Sequence, residues 1–399
     1  MQKGQNIVKC VLVSLVLSVT TVLLEVNHAS ASDALDGIDS YILESMDAWE
    51  VPGLAIAVVK DNEAVFVKGY GVRTYGNLEK VDQNTLFAIG SITKGMTASS
   101  IAALVDQKKL AWDDKVTTYL PWFEFYDPYV TREITIRDLL SHRSGLGRRD
   151  ALWYGSKLSR RKILERVKRL KPSYGFRAGY GYQNVMFLAA GEVAAEASGM
   201  SWDSLVAKKL FEPLKMHRSN TSVLNLVGKD NVAAPHTNAD GTLQAIEYRN
   251  LDSIAPAGSI NSTAHEMTNF LQMLLSKGRF GDLQVLSEES IREMWTPHTN
   301  LPLNDSVRSI FPSTHVVLYG LGWGLRDFRG HWLVEHSGGI DGMTSHTIMV
   351  PDDTLGVIVL TNLGSNGLAV ALAYGVIERF ISQERVDYSA ILLDEFRKQ

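Results

Sequence analysis

Apolar residues recur at spacings of three and four through Leu35, Ile38, Ile42 and Met46, which predicts an amphipathic helix over 33–49, stopped by Val51-Pro52-Gly53. Two strand-like runs follow at 53–60 and 63–70, and Asp61-Asn62 between them completes a hairpin pattern. From about 92 to 300 the pattern is mostly helical and rich in loops, with amphipathic stretches at 96–108, 185–197 and 264–277. Strands return at 332–336, 344–350 and 354–361, before a last helix over about 367–382. Strands at both ends with helices between them predict an α+β fold. Its antiparallel sheet is built from both chain ends and flanked by helices, with a mostly helical lobe inserted. The expected division is an α/β lobe of about 33–90 plus 310–399 and a helical lobe of about 91–309. No internal repeat or low-complexity tract interrupts this pattern.

The first residues follow a different logic. Lys3 and Lys9 precede an apolar run over 10–24 that ends at Glu25, and Ala29-Ser30-Ala31 offers a small-x-small cleavage site. A secretory signal peptide over 1–31 is expected, leaving a domain over 32–399 that is secreted or periplasmic and has no stable membrane insertion after cleavage. An uncleaved anchor is the alternative, for which the run is short against a span of about 20 residues. Cys10 is the only cysteine. Once it is removed, disulfides, thiolate nucleophiles and cysteine-ligated metals are excluded. With 399 residues and 45% hydrophobic positions the chain exceeds one typical core of about 100–200 residues, so two lobes with a cleft are expected. A formal net charge of -4 gives no general attraction to nucleic acid or anionic lipid.

Several signatures of chemistry fail. His265-Glu266 lacks the second histidine of a zinc-protease helix because position 269 is Asn269, and no Gly-x-Ser-x-Gly elbow occurs. The stretch 90–95 lacks the Lys-Ser/Thr ending of a phosphate loop, and Gly69-Tyr70-Gly71 lacks the third glycine of a dinucleotide fingerprint. The pattern Ser-x-x-Lys survives, since on a helix the i and i+3 side chains share a face and an amine beside a hydroxyl can take its proton. A lysine with the ordinary pKa of about 10.4 cannot do this at pH 7, so burial is part of the requirement.

Two tetrads match, Ser91-Ile92-Thr93-Lys94 and Ser159-Arg160-Arg161-Lys162. Ser159 lies among Arg160, Arg161, Lys162, Arg166, Lys168 and Arg169, where a neutral lysine is implausible. That stretch reads as a solvated amphipathic face with Ile163, Val167 and Leu170 turned inward; a role at an anionic membrane surface is the minor reading. Ser91 instead follows an apolar run over 86–90 and opens a helix.

Ser91-Ile92-Thr93-Lys94 resembles the first motif of the penicillin-recognising serine hydrolases, which include class C β-lactamases, D-alanyl-D-alanine carboxypeptidases, D-aminopeptidases and β-lactamase-fold esterases. Tyr182-Gln183-Asn184 is similar to the family's Tyr-x-Asn element, and His336-Ser337-Gly338 resembles its third motif, written Lys-Thr-Gly or His-x-Gly. The segments 51–53, 139–146, 320–324 and 360–362 extend the likeness over nearly the whole domain. Ala178-Gly179 stands where the family often has Pro-Gly, a departure expected to affect loop rigidity more than chemistry.

The expected chemistry is attack of Ser91 on a carbonyl to give an acyl-enzyme, with Lys94 and Tyr182 as base and proton shuttle. Tyr180 could be proposed in place of Tyr182, but only Tyr182 has an asparagine two residues on. Asn184 is expected to orient substrate. The resemblance implies an oxyanion site from the backbone N–H groups of Ser91 and Gly339, with His336, Gly338 and Gly339 on the substrate side. No metal or cofactor is expected. The implied substrates are small esters, amides or D-amino-acid peptides. A β-lactamase or D-alanyl-D-alanine carboxypeptidase is one alternative, and a catalytically silent module that binds cell-wall peptides is the other. Because His336 replaces a lysine, neutral substrates are expected over anionic ones, with carboxylate-bearing substrates improving as pH falls through an ordinary imidazole pKa of about 6.5. Trp153, Tyr154, Phe176 and Trp323 could line a pocket, although core packing is the plainer reading.

Overall fold

The computed structural model describes residues 31–382 and 384–398. The apolar run and Cys10 of the expected signal peptide lie outside the described residues; Ala31, just before the expected cleavage point, begins a short helix, Ala31–Leu35. The single helix expected over 33–49 is two, because Gly37 takes φ 69° and breaks the helical path before α1, Ile38–Ala48. The hairpin forms as β1, Gly53–Lys60, and β2, Glu63–Gly71, with Asp61 and Asn62 at φ 50° and 67°, the left-handed pair that a two-residue turn requires.

Both chain ends meet in one antiparallel sheet. β1 pairs with the last strand along its length, Leu54 opposite Thr361 through Lys60 opposite Leu355. The remaining strands are β3, Thr299–Leu301; β4, Val317–Tyr319; β5, Gly324–Phe328; β6, His331–Ile340; β7, Met343–Val350; and β8, Leu355–Thr361. Their order is β2-β1-β8-β7-β6-β5-β4-β3. The sequence pattern missed β3, β4 and β5, which are too short to show alternation; β3 falls inside the stretch read as mostly helical.

Residues of β1 divide by parity between two cores. Leu54, Ile56 and Val58 join the cluster under α1 and the helix α5, Leu368–Ile381. Ala55, Ala57 and Val59 join the larger cluster that continues into the helical region. The strand is therefore covered on both faces and reads as a continuous apolar run. In the helical region, α2, Thr93–Asp106, is buried from Thr93 through Leu104 and packs against α3, Asn184–Ser198. Helix α4, Ala264–Leu275, lies between that region and β1 and β8. No described helix is long and apolar enough to cross a membrane.

Candidate active site

Ser91 is placed by strand pairing on its N-terminal side. Phe87–Ala88 pairs with Asn261–Ser262, and Ile89 N–H donates to Ile260 O at 3.0 Å. Gly90 then turns at φ 51° and opens the tight turn Gly90–Ile92 that leads into α2. The turn rests on β6 and β7: Ser345 Oγ donates to Ile89 O at 2.9 Å, and a Cβ on Gly338 would lie 2.1 Å from that same oxygen. Only glycine at 338 permits this approach. A Cβ on Gly90 would lie 2.7 Å from Gly339 N, so the backbone of Gly339 borders the nucleophile turn.

Lys94 and Tyr182 converge on one hydroxyl. Lys94 Nζ lies 2.9 Å from Ser91 Oγ, and Tyr182 O–H donates to Ser91 Oγ at 2.7 Å. Lys94 also donates to Asn184 Oδ1 at 2.7 Å and to Ala257 O at 2.8 Å. It is fully buried, with its amine 4.7 Å from the Tyr182 ring centre and 5.4 Å from that of Phe187. Burial, reinforced by the Arg148 cation and opposed by Asp150, pushes its pKa well below the ordinary lysine value. The neutral amine has two N–H bonds and one lone pair. With the N–H bonds spent on Asn184 and Ala257, the lone pair is left for the serine O–H. Burial moves Tyr182 the other way, raising its pKa so that the phenol keeps its proton.

Asn184, expected to touch substrate, has both ends of its amide engaged inside the protein. Its Oδ1 takes the lysine and its Nδ2 donates to Asp150 Oδ1 at 3.0 Å. Asn184 Oδ1 thus stands with Ala257 O as an acceptor for the Lys94 amine. His336 is likewise buried, with Nδ1 at 2.6 Å from Ser337 O and Nε2 at 3.0 Å from Tyr319 O–H, so no ring nitrogen is left for a ligand. Burial pushes its pKa down to about 3, which corrects the expectation of an ordinary imidazole pKa of about 6.5. His142, fully buried 4.5 Å from the Tyr182 ring, is held neutral by burial, and its Nδ1 accepts from Gln183 N–H at 3.1 Å.

A cleft of about 600 Å³ opens beside Gly339, lined among others by Arg148, Asp150, Trp153, Tyr154 and Asp341. Trp153 and Tyr154 thus face it. Trp323 does not: it is fully buried against Phe270 and the close backbone of Gly95. Phe176 packs edge-on to Tyr129 and under Arg177. Arg148 and Asp150 form an ion pair, with the Arg148 guanidinium 5.4 Å from the Tyr182 ring centre. Sequence reading missed this pair and the Ala257 carbonyl. Both lie far along the chain from the residues they serve, and neither belongs to a local pattern.

The β-lactamase family model matches residues 38–378. Among curated relatives, Unguisins hydrolase ungD' of Aspergillus campestris is 29% identical over 357 residues, 85% of this chain but 64% of the relative, so the chain spans less than two thirds of that protein. Penicillin-binding protein 4 of Amycolatopsis lactamdurans is 29% identical over 323 residues, 79% of this chain and 81% of the relative. The octameric penicillin-binding protein homologue from Pyrococcus abyssi superposes with a TM-score of 0.73 at 25% identity, covering 86% of this chain and 76% of that one. The D-stereospecific amidohydrolase from Streptomyces sp. shares the fold, with a TM-score of 0.67 at 20% identity over 86% of this chain and 99% of that one.

Proposed function

The chain belongs to the β-lactamase family and is a serine hydrolase, and from that premise we propose that it is exported and acts through an acyl ester on Ser91 on small neutral esters, amides or D-amino-acid peptides. One observation carries this reading: Lys94 Nζ and Tyr182 Oη both lie within hydrogen-bond distance of Ser91 Oγ, at 2.9 and 2.7 Å. The serine proton passes to the neutral Lys94 as Oγ attacks the acyl carbon. Tyr182, which keeps its own proton, relays one to the leaving group, and Lys94 is neutral again after collapse. The roles repeat when water attacks the ester. The backbone N–H groups of Ser91 and Gly339 are assigned to the oxyanion, in keeping with the close approach of residues 90 and 339.

The preference for neutral substrates rests on the charges around the cleft. Arg148 is paired with Asp150 and Arg249 with Asp341, and His336 is neutral throughout the working range. A substrate carboxylate would have to displace an existing partner. The ratio of kcat/KM for a p-nitrophenyl acyl ester to that for a chromogenic cephalosporin is therefore expected to exceed one at pH 7.5 and to stay level from pH 5.5 to 8, since both substrates share the Lys94 titration. A parent enzyme that hydrolyses the cephalosporin far faster at pH 7.5 would restore the β-lactamase reading. A β-lactamase or a D-alanyl-D-alanine carboxypeptidase is the second reading, in keeping with a relative from Amycolatopsis whose name says only that it binds penicillin. Export rests on the apolar run over 10–24 and the site at Ala29-Ser30-Ala31. An intact mass for the exported protein beginning at Ser32 is expected, and a mass retaining residues 1–31 would show an anchor instead.

A further inference from the structure

We infer that Asp150 and Arg148 are positioning residues of the acyl-transfer centre: Asp150 fixes the Asn184 amide with its oxygen toward Lys94, and Arg148 holds a paired cation over the Tyr182 ring. The inference rests on the acyl-serine reading above. An asparagine amide has an acceptor end and a donor end of nearly equal shape, so its partners decide which way it faces. Lys94 presents N–H bonds and Asp150 an ionised carboxylate that only accepts; the reversed amide would set donor against donor and acceptor against acceptor.

Asp150 is itself held on both oxygens. Its Oδ1 accepts from Trp153 Nε1 at 3.0 Å as well as from Asn184, and its Oδ2 takes Arg148 Nε. The segment that carries it is stitched to the tyrosine loop: Gly181 N–H donates to His142 O at 2.9 Å, and Gln183 Nε2 donates to Gly147 O at 2.8 Å. Residues 142–150 thus form the bed on which Tyr182 and Asn184 lie, and Asp150 is its contact with the lysine's partner.

The same two residues set the charge that Lys94 senses. Besides Ser91, Asn184 and the Ala257 carbonyl, the groups facing its amine are the Tyr182 and Phe187 rings, His142, His336, Arg148 and Asp150. Burial keeps the Tyr182 phenol and both histidines neutral, which leaves the Arg148–Asp150 ion pair as the charged groups among these. The cation disfavours the ammonium and the anion favours it. Removing one or the other must therefore move the lysine in opposite directions.

The test is the pH dependence of labelling by a neutral fluorophosphonate, with the adduct mapped by mass spectrometry. Arg148→Gln is expected to move the acid limb up by roughly half to one pH unit, and Arg148→Lys to restore it. Asp150→Asn is expected to move it down by a similar amount and to lower the plateau rate about tenfold as the Asn184 amide loosens. Label on Ser91 with limbs that coincide within about 0.2 unit, or that shift the same way, overturns the inference, since a merely structural role changes the plateau alone. Label on another residue overturns the acyl-serine reading instead. The Arg148 pair of variants decides the question even if Asp150→Asn fails to fold.

Discussion

Ser91→Ala is expected to lower kcat on an activated ester by about 10⁴-fold or more, the scale of nucleophile removal in serine hydrolases. Ser159→Ala is expected to leave kcat within about twofold, as for a surface site away from the chemistry. The two serines open the same four-residue pattern, and the structure gives the physical difference. Ser159 caps the helix Arg160–Glu165, its Oγ accepting from Lys162 N–H at 3.3 Å, while Lys162 Nζ reaches out to Glu165 at 2.8 Å. The Lys162 amine is thus exposed and engaged with the Glu165 carboxylate, not with the hydroxyl of Ser159. Loss of that cap should cost about 1 kcal/mol of stability and no chemistry. The measurement is steady-state kcat on a p-nitrophenyl ester, with the fluorophosphonate adduct mapped in parallel. Retained activity in Ser91→Ala, or an adduct on Ser159, would refute the assignment.

That contrast also shows why parts of the site were legible. Ser91 and Lys94 are joined by one turn of helix, so their contact follows from spacing, and the apolar residues before them announce burial. Tyr182 and Asn184 were found by likeness to a known motif; nothing in the spacing of residues 91 and 182 brings them together. The hold of Asp150 on Asn184 was not legible because the two lie 34 positions apart, Asp150 in an unpatterned loop. His336 was given an ordinary imidazole pKa because sequence shows neither the burial of the ring nor its two hydrogen bonds. The fold divides similarly. β1, β7 and β8 are long enough to show as runs, whereas β6 continues past His336 through Gly338 and Gly339, residues with poor strand propensity held by pairing with Ser345 and Thr344.

Lys94→Met and Tyr182→Phe are each expected to lower kcat/KM by about 10³-fold, and the double variant by little more than the worse single, because the two side chains handle the same proton. Independent contributions would instead multiply to about 10⁶-fold. Such a product would separate the roles of the two residues, and an unchanged rate in Tyr182→Phe would return that tyrosine to core packing. Stability supplies a second readout for Lys94. Its folded pKa is depressed, so between that value and 10.5 the unfolded chain binds one more proton than the native state. Stability of the parent must rise with pH across that window, and below it the cost of burying the lysine is fully present. Lys94→Met has no proton to lose on folding, so its urea midpoint is expected to climb less steeply from pH 7 to 9 than that of the parent. Parallel midpoint curves would mean that Lys94 stays an ammonium in the folded protein, and a charged Lys94 cannot be the base that takes the proton of Ser91.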